Sequence, residues 1–201
     1  MTTPQSDPPL APDELVSTGG EREVLEAFLD LYRDVLKRKL AGLSDEQIRR
    51  RHVPSQTTLG GLIKHLTAVE REWFQVILAG RSEEKLGEAP SDNGWTLSTG
   101  ETVGDLIAGY ERACAVSRRA AAGFALEDSV PHPRMGRVSL RWIYVHMIEE
   151  SARHVGHADI LREQTDGATG FDGLRPTREL ADRVAASGRF APGRLSGDLY
   201  R

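Results

Sequence analysis

The chain has 201 residues, of which 39% are hydrophobic and 28% charged, with a formal net charge of −4 and a pI near 5.9. That length and apolar content suit one domain with its own core and leave little room for two. The mild acidity offers no basic stripe for nucleic acid, despite the local run RRRH at 49–52, so no nucleic-acid partner is expected.

A single cysteine, Cys114, excludes an intrachain disulfide, and the opening MTTPQSDPPLAPDEL lacks a basic region followed by an apolar one. No run approaches the ~18 apolar residues that span a bilayer. A cytoplasmic protein with no membrane partner is expected. Residues 1–20, rich in Pro, Thr, Ser and Gly, hold too few large apolar side chains to fold alone and read as a flexible or loosely docked lead-in.

From residue 21, Leu25, Phe28, Leu29, Tyr32, Val35, Leu36 and Leu40 recur at spacings of three and four, the apolar stripe of a helix that Gly42 stops. Ser44 with Gln47 predicts a capping box and a short helix or turn. A second helix follows, with Leu59, Leu62, Leu66, Val69, Trp73 and Ile77 inward and Gly80 at its end. His65, between Leu62 and Val69, points along that inward face. The polar stretch 81–100 is a connection that carries Trp95, expected as a lid over the core. A third helix is read over 101–123, with Val103, Leu106, Ile107, Tyr110, Cys114 and Val116 in register, followed by the loop FALEDSVPHPRMG. The last helix begins after Ser139, a candidate N-cap, and turns Leu140, Ile143, Met147, Ile160 and Leu161 inward. Four amphipathic helices without a convincing strand predict an all-α four-helix bundle over 21–168. Residues 169–201 read as an extension, with a short helix over 176–187 and an irregular remainder.

The chemistry concentrates in EESARHVGHADILRE, residues 149–163. On a helix, His146, Glu150, His154 and His157 fall within an arc of roughly 80°. Glu150 and His154, one turn apart, have Cβ atoms about 5–6 Å from each other, so both can reach one ion at roughly 2.0–2.2 Å. With the inward His65 they make three ligands, and three ligands leave a position open for water or substrate, as catalytic metal sites do. The set suits zinc and also accepts nickel, iron or manganese. The simpler reading stands beside it: an isolated inward histidine is more often a hydrogen-bonded core residue than a ligand, and Glu150 with His154 can be a plain i, i+4 pair. Density favours the metal, because a carboxylate and several imidazoles on core-facing helices cost desolvation unless paired or ligated.

His157, three residues from His154, competes with Glu150 as a ligand, whereas His146 suits packing or outer support. Trp73 and Trp142 read as core, and His52 and His132 as solvated. Cys114 has no cation or helix N-terminus to lower its pKa and is not expected to be a nucleophile.

The blocks FLDLYRDVL, GLSDEQ, VPSQTTLGGLIKHLTAVEREWF and VSLRWIYVHMIEESARHVGHADILREQTDGATG resemble the DinB/YfiT-like superfamily, in an actinobacterial branch related to mycothiol-dependent maleylpyruvate isomerase. The resemblance covers roughly residues 21–170. It implies a four-helix bundle and a divalent metal held by a histidine of the second helix and two residues one turn apart on the last, matching His65, Glu150 and His154. Many relatives use His-x-x-x-His there, so Glu150 departs from an all-histidine set but agrees with the His, Glu, His set of the isomerase branch. His157 matches a non-ligand position. The resemblance further implies an S-transferase or isomerase that joins a small electrophile to a low-molecular-weight thiol of the mycothiol type, with the metal favouring the thiolate. Two other readings stay open: a non-catalytic metal-binding or stress-response module, with a homodimer formed through helix faces, and a metal-dependent hydrolase.

Overall fold

The structure, a computed structural model, describes residues 12–82 and 95–169. The expected helix over 176–187, the rest of the extension beyond 169 and the first residues of the lead-in lie outside them. The described residues are mostly helical. They form α1 (Pro12–Leu15), α2 (Glu21–Leu40), α3 (Leu59–Glu70), α4 (Val103–Ala121) and α5 (Leu140–Asp166), with one antiparallel hairpin of β1 (Ser129–His132) and β2 (Gly136–Ser139). A 3-10 turn spans Gln47–Arg49, and α3 continues as a π-helical segment over Arg71–Leu78. No helix among the described residues is long and apolar enough to cross a membrane.

The hairpin departs from the wholly helical expectation. Its strands are four residues long, too short to show a period in the sequence, and prolines stand in β1 (Pro131) and in the turn (Pro133). The register is nonetheless defined, Val130 facing Val138 and His132 facing Gly136, whose φ of +74° turns the chain.

Local signals place most helix ends. Glu21 and Glu23 open α2 and Lys37, Arg38 and Lys39 close it, each charge suiting the helix dipole at its end. Ser44 and Gln47 form the expected reciprocal cap, at 2.8 and 3.2 Å. Thr58 Oγ1 accepts from Gly61 N at 3.0 Å, Thr102 and Asp105 cap α4 reciprocally, and Ser139 Oγ accepts from Trp142 N at 3.2 Å.

Two apolar clusters fill the interior. One gathers Val35, Leu36, Leu40, Leu62, Ile63, Leu66, Leu106 and Tyr110 with Val155 and Leu161; the other gathers Leu29, Trp73, Phe74 and Leu78 with Leu140, Ile143 and Met147. The inward stripes fit these clusters with four exceptions, of which Val116 is half-buried outside both. Phe28, Trp142 and Ile160, all read as inward, are 36%, 40% and 58% exposed; the second and third lie on the face of α5 opposite its buried residues.

The sequence reading did not anticipate the ionic group beside Phe74. Arg33, 4% exposed, forks onto fully buried Glu70 at 2.6 and 2.8 Å and donates to Asp30 at 2.8 Å, while Arg118 pairs with Asp30 from α4. A charge at position 70, four residues beyond Leu66 on the inward stripe, was the available sign.

Candidate metal centre

The site lies where α3 meets α5. The two helices run antiparallel, with His65 opposite His154 at one level and Trp73 opposite His146 and Trp142 at another. Nε2 of His65 stands 3.3 Å from Glu150 Oε1, and Nε2 of His154 stands 3.0 Å from the same oxygen. One ligand atom from each of the three lies within 4.8 Å of the others. The interhelical packing therefore brings together the three side chains that spacing and resemblance had singled out. Ligands about 2.0–2.2 Å from a tetrahedral ion stand roughly 3.3–3.6 Å apart, so this donor set has the size of such a site. At the same distances the carboxylate hydrogen-bonds both rings.

Charge at the site follows from its surroundings. Burial raises the Glu150 carboxyl, but the hydrogen bond with His65 and the neighbouring His154 outweigh it, and the group sits below its usual range. Burial holds His154 below the usual imidazole range against the attraction of Glu150, with the charges of His65 and His157 acting in the same direction as burial. Near neutral pH, His154 is therefore a neutral donor and Glu150 an anionic one, the forms that coordinate a cation.

His157 does not join them. Its Nδ1 lies 3.4 Å from Nδ1 of His154, on the ring edge away from Glu150. It supports His154 from behind, as outer hydrogen-bond partners orient ligating histidines.

Trp95 does more than cover the core. Its indole stacks on His65, with centroids 4.5 Å apart and planes 16° from parallel, and meets His154 edge-on at 5.8 Å. Two glycines make that approach possible. A Cβ on Gly60 would stand 2.6 Å from Leu97, and one on Gly61 would stand 2.8 Å from the Trp95 carbonyl oxygen. Beyond Trp95 opens a cleft of about 350 Å³, lined by Arg49, Arg51, Gln56, Thr58 and Thr96 together with the apolar surfaces of Trp95 and Leu97.

Of the remaining histidines, His146 packs as expected, while His132 and His52 are less open than expected. His132 is half-buried and stacks on Trp73 at 5.3 Å, and His146 lies between Trp73 and Trp142. His52 is half-buried, its Nε2 3.0 Å from Thr165 Oγ1. Cys114 is buried in the core, and burial, with the nearby Glu70 charge, pushes its thiol up to about 12, so it offers no nucleophile.

A mostly helical protein with an inward His, Glu, His cluster belongs among candidate metal-binding helical proteins. The description of the family is more specific: the Mycothiol-S-transferase family model matches residues 24–167, and the chain belongs to that family. No curated protein matches the chain.

Proposed function

We propose that this protein is a divalent-metal-dependent transferase that joins mycothiol, or a thiol of its type, to a small electrophile at His65, Glu150 and His154. The family supplies the reaction class. The observation that carries the metal dependence is the meeting of three donors from α3 and α5 within 4.8 Å. In this reading α2 to α5 are the four helices of a DinB-type bundle. Two nitrogens and one oxygen favour zinc, with nickel, iron or manganese as substitutes.

When bound, such an ion favours the thiolate form of a thiol beside it. The chain's own residues do the rest. His65 and His154 direct Nε2 toward the centre, and Glu150 holds both rings in that orientation. Trp95 shields the His65 face from water. The sulfur, its proton released to solvent, forms a bond to the electrophile's carbon as the bond to the leaving group breaks and that group departs with the electron pair. No side chain is required as nucleophile, in keeping with the sequestered Cys114.

The test is to purify the untagged protein, determine its metal by elemental analysis, and follow conjugate formation from mycothiol and an alkyl halide by mass spectrometry. Metal at about one ion per chain in the wild type, lost together with conjugation in His154→Ala, supports the reading. A metal-loaded wild type that forms no conjugate ends it, and turnover with water alone makes the protein a hydrolase instead.

A further inference from the structure

On the side of Glu150 away from Trp95, the same seam between α3 and α5 changes character. His146, one turn before Glu150, stacks on Trp142 with centroids 5.0 Å apart and planes 18° from parallel, and meets Trp73 edge-on at 4.6 Å. Trp73 in turn stacks on His132 of the hairpin at 5.3 Å. Four rings thus make one continuous stack, buried at Trp73 and open at its outer end, where Trp142 is 40% exposed and Val145, three residues on along α5, is 54% exposed.

We propose that this surface is the electrophile subsite and that it selects a planar, electron-poor aromatic electrophile. The inference rests on the transferase reading and adds its substrate class. The argument is one of division. A substitution between a thiol and an electrophile requires both at the same centre, and the centre has two unlike flanks. The flank beyond Trp95 is a cleft in which Arg49, Arg51, Gln56, Thr58 and Thr96 stand beside the apolar surfaces of Trp95 and Leu97, and its cationic, amide and hydroxyl groups suit a hydrophilic thiol. The other flank is aromatic, begins one helical turn, about 5–6 Å, from Glu150, and suits the opposite partner. Burial holds His146 below the usual imidazole range, so its ring is neutral at pH 7 and stacks as an aromatic rather than as a cation. Indole faces are electron-rich, and a ring depleted by a nitro or carbonyl group stacks on them most favourably. The π-helical turn at Arg71–Leu78 presents Trp73 to this seam, and such turns recur at functional sites.

Two measurements test the subsite. In the first, 4-nitrobenzyl alcohol, which mimics the shape of an electrophile but has no leaving group, is titrated into the zinc-loaded protein while tryptophan fluorescence is followed. Saturable quenching is expected, weakened about tenfold in Trp142→Ala and also weakened in Val145→Asp, an exposed position where the fold tolerates a charge. In the second, the ratio of kcat/KM for 4-nitrobenzyl chloride over iodoacetamide, with mycothiol as the thiol, is expected to fall about tenfold in Trp142→Ala. Unchanged quenching and an unchanged ratio in both variants overturn the inference while leaving the transferase intact. Quenching lost in the variants with no turnover of either halide sinks the transferase and leaves an aromatic-binding surface. Sedimentation showing a dimer that Val145→Asp dissociates assigns the surface to a second copy of the chain and also overturns the inference.

Discussion

Glu150 on α5 reaches across the interhelical seam and places Oε1 3.3 Å from Nε2 of His65 on α3. The same oxygen holds His154 at 3.0 Å, so a single carboxylate sets the position of both imidazoles before any cation arrives. Glu150→Gln keeps the shape but removes the charge. Its zinc affinity, measured by competition with a chelator, is expected to fall by at least about a hundredfold, and that of His65→Ala likewise. Zinc binding equal to wild type in Glu150→Gln would remove the carboxylate from the ligand set.

His157 provides the contrast. Because it touches His154 on the far ring edge, His157→Ala is expected to weaken zinc by about tenfold, the range of an outer partner, while the bound stoichiometry stays the same. A complete loss of zinc in this variant would mean that His157, not Glu150, is the third ligand.

The Arg33–Glu70 fork is buried on both sides. Breaking it strands a charge away from water, so Glu70→Gln is expected to cost about 3–5 kcal/mol in urea unfolding. The double variant Arg33→Met with Glu70→Met leaves no stranded charge and should lose less than Glu70→Gln alone. A larger loss in the double variant would show that the pair contributes more than mutual neutralisation.

Acid should weaken the fold through Asp30. Burial raises this carboxyl, but the guanidinium groups of Arg33 and Arg118 outweigh burial and hold it below the usual carboxylate range. A depressed folded pKa contributes stability above the ordinary value near about pH 4, and that contribution is lost as the pH falls through the folded value. Urea midpoints from pH 7 to pH 3 should therefore decline more steeply in the wild type than in Asp30→Asn. Parallel profiles would contradict the assignment.

Gly61 lets residues 95–97 close over α3. In Gly61→Ala the new methyl meets the Trp95 carbonyl oxygen at 2.8 Å, and the segment must lift. The expected result is a loss of about 1–3 kcal/mol and a red-shifted Trp95 emission as its stack on His65 opens. Unchanged emission, with Trp73 and Trp142 replaced by phenylalanine to isolate the signal, would show that the stack does not depend on this glycine.

The helices were legible because their cause is local. Apolar residues at spacings of three and four, the caps at Ser44 and Ser139 and the stops at Gly42 and Gly80 act within a few residues of one another. Glu150 and His154 were legible for the same reason, being one turn apart on one helix. His65 pointed inward by its own stripe, which made it a candidate third ligand, but its partner lies 85 residues away, and the resemblance to a known family named the same pairing.

Sequence alone determined the helices, the inward direction of the candidate ligands and the inertness of Cys114. Tertiary structure decided the rest. The hairpin depends on cross-strand pairs, the exposure of Phe28, Trp142 and Ile160 on which arc of each helix finds a neighbour, and the stacks of Trp95 on His65 and His132 on Trp73 on segments distant in the chain. Each of these is set by the approach of two surfaces, a quantity that no spacing along a single segment contains.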